Sequence, residues 1–364
     1  MILQDIISEL EQFAPISYQE NYDNSGLLIG DVKQTITGAI LCLDCTEETI
    51  NEAIKKKCNL IISHHPIIFV GIKKLNGSNY VERIIIKAIQ NNIAIYACHT
   101  NLDNVKLGVS KKIAEKIGLI NTKILAPKKS SLKKLVTFVP NNGLEKLRAA
   151  LFEEGVGKIG NYEKCSYAIE GIGSFKGNDL SNPAVGKKNE LHFEKETRLE
   201  VVFESFQEQK ILKTLKENHP YEEVAYDIYN LENLHDDVGS GLIGELLVPM
   251  PEIDFLNHIK NVFNLKYLKH TALLNRNIKK VSVCGGSGSF LLKNSISLKS
   301  DVYISSDFKY HEFFDAESKI LIADIGHYES EQFTSEIFYE IISNKFSTFA
   351  LYFTEINTNP VNYF

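Results

Sequence analysis

A chain of 364 residues, 44% hydrophobic and 24% charged, has the composition of an ordinary globular protein, which excludes global disorder. Its length predicts roughly two domains. A net charge of −6 argues against a protein that coats nucleic acid, and no run approaches the ~18 apolar residues of a membrane span.

The opening stretch MILQDIISELEQF sets Ile2, Ile6, Leu10 and Phe13 near helical spacing and carries acidic residues inside it. It reads as an amphipathic first helix rather than a signal peptide, so the expected compartment is the cytoplasm. From residue 37 short apolar runs alternate with helical stretches. Strands are predicted over 37–44, 59–63 and 93–98, with helices over 47–57 and 79–91 between them. This alternation implies βαβ units and a mostly parallel sheet with helices on its faces. After residue 125 the rhythm changes to strand 133–139, helix 144–154, strands 162–170 and 197–204, helix 207–216 and strand 223–229. That order, β-α-β-β-α-β, is the split ferredoxin-like unit, with a Gly- and Asn-rich loop over 173–189. The first rhythm resumes with strands at 281–284, 301–305 and 320–325. A helix carrying Phe333, Ile337 and Ile341 follows, and then a last strand over 348–353. The expected fold is therefore α/β. A discontinuous, mostly parallel-sheet domain, 1–125 and 236–364, is interrupted by an inserted α+β domain over 126–235.

In open α/β sheets, ligands gather at the carboxyl ends of the strands. There the sequence sets His64 and His65 after NLIIS, His99 and Asp103 after IAIYAC, and His327 and Glu331 after ILIADI. A solitary histidine in such a fold is more often a structural hydrogen-bonder than a ligand. The double His, the HTNLD loop and the GHYESE loop together favour ligation. His327 and Glu331, four apart at a helix start, face the same way. Imidazole and carboxylate donors suit zinc first, with manganese, iron or cobalt as alternatives. Five ligands, His64, His65, Asp103, His327 and Glu331, exceed the need of one open zinc, so two divalent ions per chain are expected, a carboxylate bridging them. His99 is as well suited to support a ligand as to be one. Asp44 and Asp307 either orient ligands or cap helices.

Other motifs carry less. Cys42 and Cys45 have C-x-x-C spacing, but no second pair completes a zinc set; the expectation is reduced, buried thiols. The turn Cys284-Gly285-Gly286-Ser287-Gly288-Ser289 fits no nucleotide fingerprint and reads either as a phosphate-holding loop or as a tight packing turn. Lys128, Lys129, Lys133 and Lys134 are expected to be a solvated junction rather than a contact patch.

These residues carry a family resemblance. YDNSGLLIGD, LIISHHPIIF, HTNLD, HPYEEVAYDIY, CGGSGSF and GHYESE stand in the order of the NGG-one-interacting-factor-three-like family. Its bacterial members are called GTP cyclohydrolase I type 2 homologues. The resemblance covers nearly the whole chain. It implies that His64, His65, Asp103, His327 and Glu331 take the family's dinuclear metal positions. It also implies a PII-like inserted domain and assembly into toroidal homohexamers. Tyr22 departs from the first motif, which often has Trp.

Two functional classes follow. One is a metal-dependent hydrolase in which paired ions lower the pKa of a bridging water, supplying hydroxide against a nucleotide or phosphoester. His99 or His311 would then donate the proton. The other is a non-catalytic metal-binding scaffold or regulator, for which His219, Glu222 and Glu223 of HPYEE matter as contacts; their plainer reading is a loop entering an edge strand. A membrane role is not expected, nor is nucleic-acid binding.

Overall fold

The structure, a computed structural model, describes residues 1–129 and 131–362. It divides into two compact units, Met1–Pro127 with Asp237–Phe364, and Lys128–Asp236. The first unit begins with α1 (Leu3–Phe13), β1 (Gly26–Ile29), β2 (Ala39–Cys42), α2 (Glu47–Lys55) and β3 (Leu60–Ser63). It continues with α3 (Tyr80–Gln90), β4 (Ala94–Ala97), α4 (Thr100–Asp103), α5 (Val109–Ile117) and β5 (Leu119–Pro127). The second unit consists of β6 (Leu132–Pro140), α6 (Leu144–Glu153), β7 (Ser166–Phe175), β8 (His192–Glu204), α7 (Glu208–Asn218) and β9 (Tyr226–Leu231). The first unit then resumes through β10 (Gly239–Pro251), α8 (Glu252–Val262), β11 (Lys269–His270), β12 (Asn277–Ser287) and α9 (Leu292–Ser297). It ends with β13 (Val302–Ser306), β14 (Leu321–Asp324), α10 (His327–Glu331), α11 (Thr334–Lys345) and β15 (Leu351–Phe353).

The single mostly parallel sheet expected for the first unit is replaced by two sheets. One has five strands in the order β1-β4-β3-β2-β15, and the other has six in the order β11-β14-β13-β12-β10-β5. Strands β15, β2, β3 and β4 run parallel, as do β12, β13 and β14; β1, β5, β10 and β11 pair antiparallel. Every residue of β2, β3, β4 and β14 is buried, which is why these strands read as unbroken apolar runs. One core fills the space between the sheets. It joins Leu41, Leu60 and Tyr96 of the first sheet to Val283, Ile304 and Leu321 of the second, with side chains of α1, α5, α8 and α11 between them. Helices α2 and α3 cover the other face of the first sheet, and α9 that of the second.

Local chemistry sets the helix ends. Thr46 and Asn79 cap α2 and α3, each accepting from the amide three residues on. Gly118, at φ 86°, ends α5 in the left-handed conformation that glycine adopts without a Cβ penalty.

The second unit has a wholly antiparallel sheet, β7-β8-β6-β9, with α6 and α7 packed through Leu147, Leu151, Ile211 and Leu215 onto Leu135, Leu199 and Val201. Strand β7 starts later than the alternation predicts, because Ile159 and Tyr162 exchange backbone hydrogen bonds in a small turn that the Cys165 amide closes by donating to the Gly157 carbonyl. Within this unit Lys133 pairs with Glu208 and Lys134 with Glu200.

Candidate metal centre

Three parallel strands deliver the predicted ligands, and each does so at its carboxyl end. His64 and His65 follow β3, Asp103 closes the short helix after β4, and His327 and Glu331 bound α10 after β14. The first three come from the five-stranded sheet and the last two from the six-stranded sheet, so the cluster bridges the carboxyl edges of both.

Glu331 is the hub. Its Oε1 lies 3.6 Å from His64 Nε2, and its Oε2 lies 3.0 Å from His65 Nε2 and 3.1 Å from His327 Nε2. His64 Nε2 is also 3.7 Å from Asp103 Oδ1, and the Nε2 atoms of His65 and His327 are 3.3 Å apart. Donors held about 2.1 Å from a shared cation stand roughly 3.0–3.4 Å apart, so these separations are near what a cation would impose. Among the described residues the potential ligating atoms form overlapping groups: His64, Asp103 and Glu331; His65, His327 and Glu331; and His64, His65 and His99. His64 Nε2 and Asp103 Oδ1 are buried without a hydrogen-bond partner. An orphaned buried pair of this kind is costly unless something else satisfies it. These groups could therefore hold metal.

A repeated device orients the imidazoles. His65 Nδ1 donates to Asp44 Oδ1 at 2.7 Å, and His327 Nδ1 donates to Asp307 Oδ2 at 2.6 Å. In each pair the Asp follows the strand next to the one that carries the His: β2 beside β3, and β13 beside β14. His99 Nδ1 donates likewise to Asp23 Oδ1 at 2.7 Å, Asp23 standing just ahead of β1, whose Gly26 pairs with Ala97 of β4. His64 instead donates from Nδ1 to the Cys98 carbonyl at 2.8 Å. In all four, Nδ1 is engaged by an acceptor, and in His64, His65 and His327 it is Nε2 that turns to the cluster. Asp44 and Asp307 are thus orienting groups rather than helix caps.

Electrostatics show how tightly the groups are coupled. Burial opposes the charge on Glu331, but the three imidazoles outweigh it and hold the carboxyl well below its usual range. Asp103 moves the other way, pushed far up by burial and by the neighbouring Glu331 charge. Burial also opposes the charge on His65 and His327. Their bonds to Asp44, Asp307 and Glu331 nevertheless push them up to about 9 and about 11. Burial pulls His64 down.

The glycine turn makes room for this cluster. Gly286, at φ 59°, would carry a Cβ only 2.3 Å from Glu331 Oε1 and 3.4 Å from His327 Cε1. Its amide donates to Ser330 Oγ at 2.9 Å, and its carbonyl accepts from Ser305 and Ser306. The packing alternative therefore holds for this residue: its N–H serves α10 and is not free for a phosphate.

A cavity of about 1320 Å³ opens on the cluster, lined by His65, His99, Asp103, His327 and Glu331 and walled by Tyr22, Phe69 and Phe290. Tyr22 stacks on Phe69, which sits edge-on to His99. His311 does not line this cavity. It lies in the 3-10 turn Tyr310–Ala316 against Tyr310 and Phe314. Cys42 and Cys45 are buried free thiols, Cys45 pushed up to about 12 by burial. In HPYEE, His219 uses both ring nitrogens, donating to the Phe138 carbonyl and accepting from the Tyr221 amide. Asp23 is not among the functional residues that the sequence points to. Its only signal was its presence in YDNSG, because its partner lies 76 residues away.

No helix among the described residues is long and apolar enough to cross a membrane. Residues 1–360 match the model of the Duf34/NIF3 (NGG1p interacting factor 3) family. A Staphylococcus epidermidis protein named GTP cyclohydrolase 1 type 2 homolog is 36% identical over 368 residues, covering 100% of both chains. The Bacillus subtilis protein of the same name is 36% identical over 366 residues, covering 99% of this chain and 98% of its own. Among solved structures, a Bacillus cereus protein related to NIF3 superposes with a TM-score of 0.86 at 34% identity, covering 100% of this chain and 99% of that one. A Staphylococcus aureus protein gives 0.79 at 30%, with the same coverage. On this evidence the chain belongs to the Duf34/NIF3 family.

Proposed function

We propose that the chain binds two divalent cations, zinc first among them, and uses them to hydrolyse a nucleotide or phosphoester. The observation that carries this reading is Glu331, whose two oxygens face different imidazoles beside a cavity wide enough for a substrate. His64, Asp103 and Glu331 would hold one cation, and His65, His327 and Glu331 the other. When bound, such a pair lowers the pKa of a water towards neutrality and offsets negative charge developing on a substrate. The chain's own residues supply the rest. Asp44 and Asp307 keep the Nε2 lone pairs of His65 and His327 aimed at the cluster. Asp23, its side chain buried and also hydrogen-bonded to the Thr100 amide, fixes His99 at the cavity wall, where Nε2 can pass a proton to a leaving group. Tyr22 and Phe69 offer an apolar wall that limits water beside that proton.

The test is a metal-dependent turnover screen over nucleotides and phosphodiesters. It should include a His99→Gln variant, expected to keep its metal and lose turnover at least tenfold. No turnover by fully loaded protein on any of these substrates would favour the second reading, a metal-binding scaffold or regulator. That reading draws on the second unit, which has its own core and a βαββαβ order of the PII-like kind. Assembly into a toroidal homohexamer belongs to the same proposal, and light scattering on the purified protein tests it directly.

A further inference from the structure

After β15 the chain does not leave the molecule. Thr354 donates from its amide to the Leu41 carbonyl and from its hydroxyl to Glu52, and the Glu355 amide donates to the same carboxylate. The segment then reaches the metal cluster. Thr358 Oγ1 donates to Asp44 Oδ2 at 2.9 Å, while the other oxygen of Asp44 accepts from His65 Nδ1. One residue on, Asn359 Nδ2 donates to Glu329 Oε1 at 3.0 Å, on the short helix bounded by His327 and Glu331. Two adjacent side chains thus grip the supports of both halves of the ligand set. Asp44 belongs to the five-stranded sheet, and α10 follows a strand of the six-stranded sheet. The same segment lines cavities on both sides of His65 and His327. Thr358 and Pro360 face the large one, and Asn359, Pro360 and Val361 face a second of about 580 Å³.

We propose that the segment 354–361 is a strap that positions the metal centre, with Thr358 acting through Asp44 to fix the His65 imidazole and Asn359 tying that half to α10. Asp44 has two oxygens, and a carboxylate held at only one of them can swing about its Cβ–Cγ bond. Thr358 holds the second, so the His65 ring inherits a fixed direction. Partners that orient a ligand in this way affect metal affinity without touching the metal. The strap also covers one approach to the ligands, so it slows the escape of a bound cation. This inference rests on the reading of the cluster as a metal centre.

The experiment is a Co²⁺ titration of the full chain, followed by visible absorption, with the rate of Co²⁺ loss to EDTA measured on the loaded protein. Wild type is compared with Thr358→Val, Thr358→Ser and Asn359→Ala. Thr358→Val is expected to weaken one of two binding steps by about fivefold, to shift the Co²⁺ bands, and to speed metal loss. Thr358→Ser restores all three, and Asn359→Ala speeds loss with a smaller spectral change. Thermal unfolding of the cation-free proteins should be unaltered, which separates positioning from stability. A Thr358→Val protein within twofold of wild type in affinity, spectrum and loss rate overturns the strap. So does equal weakening by Val and Ser. If Thr358→Val does not fold, Asn359→Ala decides by the same loss rate. Wild type that binds no Co²⁺ removes the metal centre itself, and the strap with it.

Discussion

Gly286 shows how much of this centre depends on atoms that are missing. The ligands converge because the β12 backbone passes against the Glu331 carboxylate with no side chain between them. A methyl group there would meet Oε1 at 2.3 Å, and its left-handed φ adds strain for any other residue, about 1 kcal/mol. Gly286→Ala is therefore expected to fold yet bind Zn²⁺ at least tenfold more weakly in a competition titration; wild-type affinity would show that Glu331 has room to move. Asp307 tests the orienting pairs from the other side of the cluster. Asp307→Ala leaves His327 Nδ1 without its acceptor, and a loss of about 10–100-fold in affinity is expected by the same titration. Most of the candidate ligands are legible in the sequence because His64, His65 and His327 sit just after apolar runs that read as buried strands. Gly286 and Asp23 are not, because what fixes their roles is contact with residues 44 and 76 positions away.

At the scale of elements, the strands buried on both faces are visible as unbroken apolar runs and the helices as 3.6-residue stripes, although α1 buries Leu3, Ile6, Ile7 and Leu10 where Ile2, Ile6, Leu10 and Phe13 were expected. Strands β5 and β10 escaped notice because parts of them are exposed and their pattern is broken. The division into two sheets was not legible either. Parallel apolar strands fit one sheet or two equally well, and only the pairing of β10 with β5 and β12 fixes the second. The segment after β15 has a pH signature of its own. Burial opposes the charge on Glu52, but Lys56, Thr354 and the Glu355 amide together hold its carboxyl below the usual range. A depressed carboxyl stabilises the fold above its unfolded pKa, and that contribution is lost as pH falls through the folded value. Acidification below about pH 4 should therefore loosen this segment first. The Glu355 amide would gain hydrogen exchange before those of β2 and β3; protection retained there at pH 3 would contradict the assignment.

For the whole molecule, the two units differ in what they carry. All the potential metal-holding groups found among the described residues lie in the first unit, and the second has an apolar core of its own. The chain leaves the first unit at Pro127 and returns at Asp237, two residues before Gly239, which pairs with Pro127 on the neighbouring antiparallel strand. A short turn should therefore replace residues 128–236 without disturbing the sheet. Such a protein is expected to fold cooperatively and retain wild-type metal content, while the excised segment folds by itself; loss of metal from the shortened chain would mean that the second unit contributes to the centre. The length anticipates two domains, and the rhythm breaks near residue 125, close to where the second unit begins. Nothing in the composition could show that the ligands of the discontinuous part would meet, since that depends on two sheets presenting their carboxyl edges to one another.

If His64, His65, Asp103, His327 and Glu331 hold a pair of cations, metal content per chain reveals it most directly. Elemental mass spectrometry is needed on protein purified without chelator or metal-affinity tag, wild type beside Glu331→Ala. About two divalent ions per chain in wild type, falling sharply when Glu331 is lost, is the predicted result. Substantially less than one ion, unrestored by zinc, manganese, iron or cobalt, would contradict it.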